Sequence, residues 1–356
     1  VAILENGPHR CSLELSLHVV GVLTAILSSA ETGSFERRTC IVFFKLLSRG
    51  PPNMRPKNPR RLNHGQVSQL VVSSRDGRDI EVVYETTDLI EAPNWTPDGK
   101  WLVYNGDGRL FKISPDGEVG PSRVNTSPIE DLNNDHVLSP DGGSAFISAN
   151  DGHLYKVSID GGVPTRVSNE QDPARKFRYY LHGISPDGKM LAYVGWENGG
   201  GKVETRIFTI PSDGGTDVQL TDGSCPVDGP EYTADGTWIY FNSEAAATVP
   251  GHAQIFRMRP DGSDVQQLTS DNRVNWFPHP SPDGSLVAYV SFPPGTIGHP
   301  ADKEVIIRIM NLDGSEIREI DFFNGGQGTM NVASWSPDSR FFAYVRYPKP
   351  EHPAAH

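Results

Sequence analysis

Three cysteines in 356 residues are too few for a disulfide framework, and they are scattered, with Cys11 and Cys40 near one end and Cys225 far from both. That excludes the small disulfide-stapled scaffolds and favours a reducing compartment, hence the cytoplasm. Long apolar runs are missing as well. The best candidate, residues 18–30, is too short to span a bilayer, so no transmembrane segment is expected. It ends in Ser28-Ser29-Ala30 like a degenerate signal-peptide core, although Glu5 and Glu14 break up the approach to it. Read as a signal, it would direct the chain to the periplasm or outside the cell. No helical period runs far enough to define a bundle. There is no Gly-x-Ser-x-Gly elbow and no Gly-x-x-x-x-Gly-Lys phosphate loop, which removes the serine hydrolases and nucleotide enzymes that depend on them. Positive charge is scarce beyond residue 62. Residues 63–356 hold 23 Lys and Arg against 40 Asp and Glu, whereas residues 1–62 hold 9 against 4. So acidic a region is not expected to bind nucleic acid.

What the chain has is one phrase written six times: Thr96-Pro97-Asp98-Gly99, Ser139-Pro140-Asp141-Gly142, Ser185-Pro186-Asp187-Gly188, Thr233-Ala234-Asp235-Gly236, Ser281-Pro282-Asp283-Gly284 and Ser336-Pro337-Asp338-Ser339. The aspartates recur every 43 to 55 residues, the period of a repeat architecture. Each phrase is a turn, with proline presetting φ, aspartate bonding back to the backbone and glycine accepting positive φ. Short β-branched and aromatic runs follow each turn, and a second Asp-Gly turn closes the third run of each copy. One copy is therefore a four-stranded antiparallel meander, and such units bury their faces by packing radially. The sixth copy keeps only its first two strands, 332–335 and 341–345. Its outer pair stands at the other end, in 70–72 and 80–84 around Asp76-Gly77. The expectation is an all-β, six-bladed β-propeller of four-stranded blades, with the N-terminal strands completing the last blade and closing the ring. Its span is 63–347. Residues 1–62 form a poorly packed or disordered extension, with a Pro- and Arg-rich linker over 50–61, and 348–356 form a tail.

The phrases Trp276-Phe277-Pro278-His279-Pro280-Ser281-Pro282-Asp283-Gly284 and Pro230-Glu231-Tyr232-Thr233 resemble the TolB-like (PD40, WD40-like) propeller repeat family. The resemblance covers about residues 66–347. It implies the six-bladed ring and a scaffold that binds a peptide, protein or glycan at its axial funnel. TolB itself adds an N-terminal α/β domain and binds a lipoprotein in the periplasm. The sixty residues ahead of the repeats lack the pattern of that domain, so membership of the envelope assembly is not implied. The repeats also resemble oligogalacturonate lyases, whose histidines and glutamine hold a divalent metal at the propeller axis. That likeness implies the alternative function, a metal-dependent lyase or hydrolase acting on an acidic sugar or similar small molecule.

Function must lie where the copies differ. Ahead of the turns stand Pro93-Asn94-Trp95, His136-Val137-Leu138, His182-Gly183-Ile184, Pro230-Glu231-Tyr232, Pro278-His279-Pro280 and Ala333-Ser334-Trp335. These are innermost strands. His136 and His182 occupy one repeat position and His279 the next, so the three imidazoles are expected to converge on the axis with Glu231. Gln327, between Gly326 and Gly328, can join them. His136, His182, His279 and Gln327 are the candidate ligands for Mn, Zn or Ca, and Glu231 is the candidate proton carrier. Asn134, Asp135, Asp228, Tyr180 and His299 are candidate binding residues around the mouth. The Asp-Gly turns lack the spaced carboxylates of a calcium loop and are read as structural.

Overall fold

The computed structural model describes residues 60–349. The apolar stretch at 18–30, Cys11, Cys40, most of the linker and the end of the C-terminal tail lie outside the described residues. Six antiparallel sheets make up the ring. Blade 1 runs Ile90–Trp95, Leu102–Gly106, Arg109–Ile113 and Ser122–Val124. Blade 2 runs Leu132–Leu138, Ser144–Ala149, Leu154–Ser158 and Thr165–Arg166. Blade 3 runs Arg178–Ile184, Met190–Glu197, Glu204–Pro211 and Val218–Gln219. Blade 4 runs Val227–Tyr232, Ile239–Ser243, Gln254–Met258 and Gln266–Gln267. Blade 5 runs Val274–Pro280, Leu286–Phe292, Lys303–Asn311 and Arg318–Gly325. In blade 6, Ser68–Ser74 pairs with Phe341–Arg346 on one side and Ile80–Thr86 on the other. The N-terminal strands thus join the last blade, as the split repeat predicts. The innermost segment of that blade is reduced to a single bridge, Trp335 to Phe342, where a full strand is expected.

The apolar core falls into the seams between blades. One cluster joins Val103, Leu110 and Val124 of blade 1 to Leu138, Ala145 and Ile147 of blade 2. Another joins Leu70, Ala343 and Val345 of blade 6 to Ile90, Leu102 and Tyr104 of blade 1. Blades cannot bury these faces alone, so each depends on its neighbours.

The repeated turn acts as a small hydrogen-bonded unit. In blade 2 the Ser139 hydroxyl donates to Asp141 Oδ1 at 2.5 Å, Gly143 N–H donates to the same oxygen at 2.9 Å, and Gly142 N–H donates to the Ser139 carbonyl at 2.8 Å. Gly188 has φ +73°, and a methyl added there would stand 3.3 Å from Pro140 of the preceding turn. The turns therefore lie against one another around the ring. Blade 4 has Ala234 in the proline place, and the next glycine, Gly284, has open space beside it. In blade 6 Ser339 replaces the glycine at φ 58°, and its hydroxyl accepts the Asp283 N–H at 2.9 Å.

At their other ends the inner strands of blades 1 to 5 each carry a β-bulge. A bulge re-aims side chains and ends regular pairing. Here it marks where each inner strand leaves its regular ladder.

Candidate functional site

Two of the three histidines converge. His182 is the extra residue of the blade 3 bulge, because Leu181 pairs with Tyr193 and Gly183 with Ala192. Freed from the ladder, its ring points to the axis. Nδ1 lies 3.0 Å from the Asn331 carbonyl and Nε2 lies 3.1 Å from Asp228 Oδ1. His279 follows the blade 5 bulge. Its Nδ1 lies 2.6 Å from Glu231 Oε2 and its Nε2 lies 3.1 Å from the Met330 carbonyl. The two rings thus rest on consecutive carbonyls of blade 6. The segment that forms no full strand presents its carbonyls to imidazoles instead.

The expected convergence of His136 is corrected. In blade 2 the bulge comes earlier: Leu132 pairs with Ala149, and His136 already pairs with Ile147. His136 stays in the ladder, as His279 does, but its ring lies by the backbone of Val103 and Asn134. It is fully buried, and neither ring nitrogen has a hydrogen-bond partner. Burial pushes it down to about 4, so this imidazole is neutral.

The remaining candidates form the rim. Asp228 accepts the Gly229 N–H at 2.8 Å and faces His182 and, at 3.7 Å, His299 Nε2. His299 Nδ1 meets Gln327 Oε1, and its ring lies 4.6 Å from that of Trp276 and 5.0 Å from that of Phe277. Asn134 donates toward Glu91 Oε1 at 3.4 Å. Asp135 accepts from Asn133 at 2.9 Å, and Tyr180 lies within the field of Asp135 and Asp228.

The electrostatics follow from these contacts. Burial lowers the pKa of His182, but the Asp135 and Asp228 carboxylates outweigh it and raise the imidazole to about 9. Both of its N–H groups face acceptors, as an imidazolium requires. Asp228 is held below its ordinary range despite burial, chiefly by His182. Asp135 is pushed up to about 6 by burial and by repulsion from Asp228 and Glu91, against the pull of His182. Burial raises Glu231 in spite of His279. Burial and repulsion from His182 hold His299 down, although Asp228 and Gln327 oppose this.

Metal ligation by these histidines does not fit the donor set. A metal takes the lone pair of a neutral imidazole nitrogen. All four ring nitrogens of His182 and His279 face protein oxygens, and the His136 ring lies in a blade seam. Among the described residues no group of three or more His, Cys, Asp or Glu is disposed to hold a metal ion.

Sequence reasoning missed Glu91, Arg60 and Tyr347. Glu91 stands seven residues before its turn aspartate, the same place as Asp228, so a fuller superposition of the copies would have found it. Arg60 lies outside the repeats, in the segment expected to be poorly packed, and gives no such signal. Leu62 of that segment packs on the seam of blades 6 and 1.

Ring, split blade and bulged inner strands define a closed six-bladed propeller with buried polar side chains gathered on its inner strands. The profile of the TolB beta propeller domain matches residues 183–346. An uncharacterized protein of Agrobacterium fabrum is 41% identical over 277 residues, covering 76% of this chain and 89% of that protein. The chain belongs to the TolB PD40 β-propeller family. The Tol-Pal system protein TolB of Francisella tularensis is 24% identical over 283 residues, and the match spans 77% of this chain but 60% of that protein. A solved Agrobacterium tumefaciens structure, provisionally named TolB, superposes with a TM-score of 0.73 at 38% identity, covering 80% of this chain and 99% of that one. An oligogalacturonate lyase in complex with manganese shares the fold, with a TM-score of 0.50 at 12% identity over 82% of this chain and 99% of that one.

Proposed function

We propose that this propeller is a binding module whose axial funnel recognises a segment of a peptide or protein. One observation carries the reading: His182 and His279 spend all their nitrogens on protein oxygens, while Asp135 and Glu231 beside them each keep one oxygen that no described residue engages. The imidazoles are scaffolding for a charged recognition surface. They offer neither an open metal ligand nor a free base. The relatives named as Tol-Pal system proteins support a binding role.

The alternative, a metal-dependent lyase or hydrolase of acidic sugars, meets a charge conflict. Glu91, Asp135, Asp228 and Glu231 line the approach, and an acidic substrate would be repelled by them.

The test is a panel of short peptides and neutral and acidic oligosaccharides, titrated against the wild type and Asp228→Asn by calorimetry. Peptide binding that Asp228→Asn weakens at least tenfold supports the module. Stoichiometric metal that is lost in His182→Ala, together with cleavage of an acidic oligosaccharide, would overturn it.

A further inference from the structure

A guanidinium already sits in the mouth of the funnel. Arg60 precedes the first strand, yet its side chain reaches the seam of blades 6 and 1. Its Nη1 donates to Glu91 Oε1 at 2.6 Å, to the Gln327 carbonyl, and toward the Tyr347 hydroxyl at 3.4 Å. The guanidinium carbon lies 4.3 Å from the centre of the Tyr347 ring. Tyr347 is itself fixed, because its hydroxyl donates to the Ile90 carbonyl at 2.8 Å and its N–H to the Asn324 carbonyl at 2.8 Å.

The floor of this site is kept clear by a missing side chain. A methyl on Gly328 would stand 2.5 Å from Arg60 Nη1, 2.5 Å from Glu91 Oε1 and 2.6 Å from the Tyr347 hydroxyl. Gly328 and Gly326 also hold φ of +83° and +110°, which turns the intervening Gln327 carbonyl toward the cation. A carboxylate, a carbonyl, a hydroxyl and an aromatic face around a cleared floor form a receptacle for a planar cation. A guanidinium donates in a fork and stacks on the ring, whereas a compact ammonium makes fewer of these contacts.

The receptacle opens onto the rest of the rim. Glu91 is linked to Asn134, Gln327 to His299, and His299 to Asp228. Asp135, beyond Asn134, has one oxygen with no donor among the described residues.

We propose that the funnel's ligand is an arginine-bearing peptide segment, and that its guanidinium takes the socket which Arg60 fills from within. This rests on the binding reading above. Arg60 is then a tethered competitor. Its attachment gives it a high effective concentration, so the socket is open only a fraction of the time and the apparent affinity falls by that fraction. The rim carboxylates receive further positive or donor groups of the same segment.

The experiment uses the full chain and three probes, acetyl-Gly-Arg-Gly-amide and its lysine and glutamine counterparts, titrated by calorimetry. Arg60→Gln is expected to bind the arginine peptide about tenfold or more tighter than wild type. The lysine peptide binds more weakly and the glutamine peptide not at all. Adding Glu91→Gln to Arg60→Gln removes the binding. Methylguanidinium at about 10 mM should raise the melting temperature of Arg60→Gln but not of wild type or the double variant. Should Arg60→Gln fail to fold by circular dichroism, Arg60→Lys carries the same comparison, since it keeps the charge and loses the plane. A folded variant with no preference for arginine over glutamine and no response to methylguanidinium overturns the proposal. If peptides bind in an Asp228-dependent way regardless of arginine, the socket proposal falls and the binding reading stands. If no probe and no panel peptide binds any variant, both fall.

Discussion

Each inner strand of the ring has a turn end and a mouth end, and the two are built on different principles. At the turn end, Ser or Thr, Asp and a residue with positive φ close the same hydrogen bonds in every copy. At the mouth end, the positions seven residues before the turn aspartate hold Glu91, Asn134, Tyr180, Asp228, Trp276 and Asn331, with only asparagine recurring. One end locks neighbouring blades in place and tolerates little change. The other is a ring of independently variable positions on a fixed frame. The separation lets a repeat protein diversify its ligand without rebuilding its scaffold.

The largest effect is expected where frame and mouth meet. Gly183 lies beside His182, and a methyl there would stand 2.5 Å from the Pro230 carbonyl oxygen and 3.2 Å from Glu231 Cα. Both are backbone and cannot move aside. Gly183→Ala should cost about 3 kcal/mol by urea unfolding, whereas Gly200→Ala, with nothing within 4 Å, should be near neutral. A comparable loss at both positions would show that the two regions are not separately constrained.

Next comes the buried pair at the mouth. His279→Ala strands the Glu231 carboxylate and should cost about 3 kcal/mol near neutral pH. The loss should shrink in acid, where burial already favours protonated Glu231. Glu231→Gln on top of His279→Ala should recover much of it. A double-mutant cycle with no coupling would remove the pair from the account.

The pH profile separates His136 from His182, which share a repeat position. His182 is raised from 6.5 to about 9, so its contribution is complete below pH 6.5 and lost as pH rises through 9. Stability should fall over that window in wild type and stay flat in His182→Gln. His136 is lowered from 6.5 to about 4, so its contribution is present above pH 6.5 and lost as pH falls to 4. Asp135, raised from 3.8 to about 6, works in the opposite sense, because the folded form holds its proton more tightly and stability falls as pH rises from 4 to 6. The two nearly cancel. His136→Leu should expose the Asp135 slope, which denaturant melts across pH 4 to 6.5 would detect.

The smallest effect belongs to the turn end. Ala234→Pro restores the proline that blade 4 lacks, and in the same turn Gly236 N–H still donates to the Thr233 carbonyl at 2.8 Å. It should stabilise by about 0.5 kcal/mol. Destabilisation would mean that this turn departs from the other five.

The ring was legible because turn chemistry is local: Pro-Asp-Gly signals the same geometry wherever it occurs, and six spaced copies leave few alternatives. The convergence of His182, His279 and Glu231 was legible for the same reason. The exclusion of His136 was not, since sequence does not mark which residue of an inner strand is left unpaired. The bulge falls at 133–135 in blade 2 and at His182 in blade 3, and that small shift sends equivalent histidines to different places. Arg60 was invisible because its partners, Glu91, Gln327 and Tyr347, lie between 31 and 287 residues away.

The seam of blade 6 sets the order in which the molecule can be made. Ser68–Ser74 emerges well before its partner Phe341–Arg346, so Gln69 waits for Arg346 while almost the whole ring is made. Until then the growing arc carries an open strand edge and two uncovered seam faces, the surfaces that aggregate most readily. Ring closure is therefore a late step with a very long loop to shut, and it is expected to be slow compared with the local meanders that precede it.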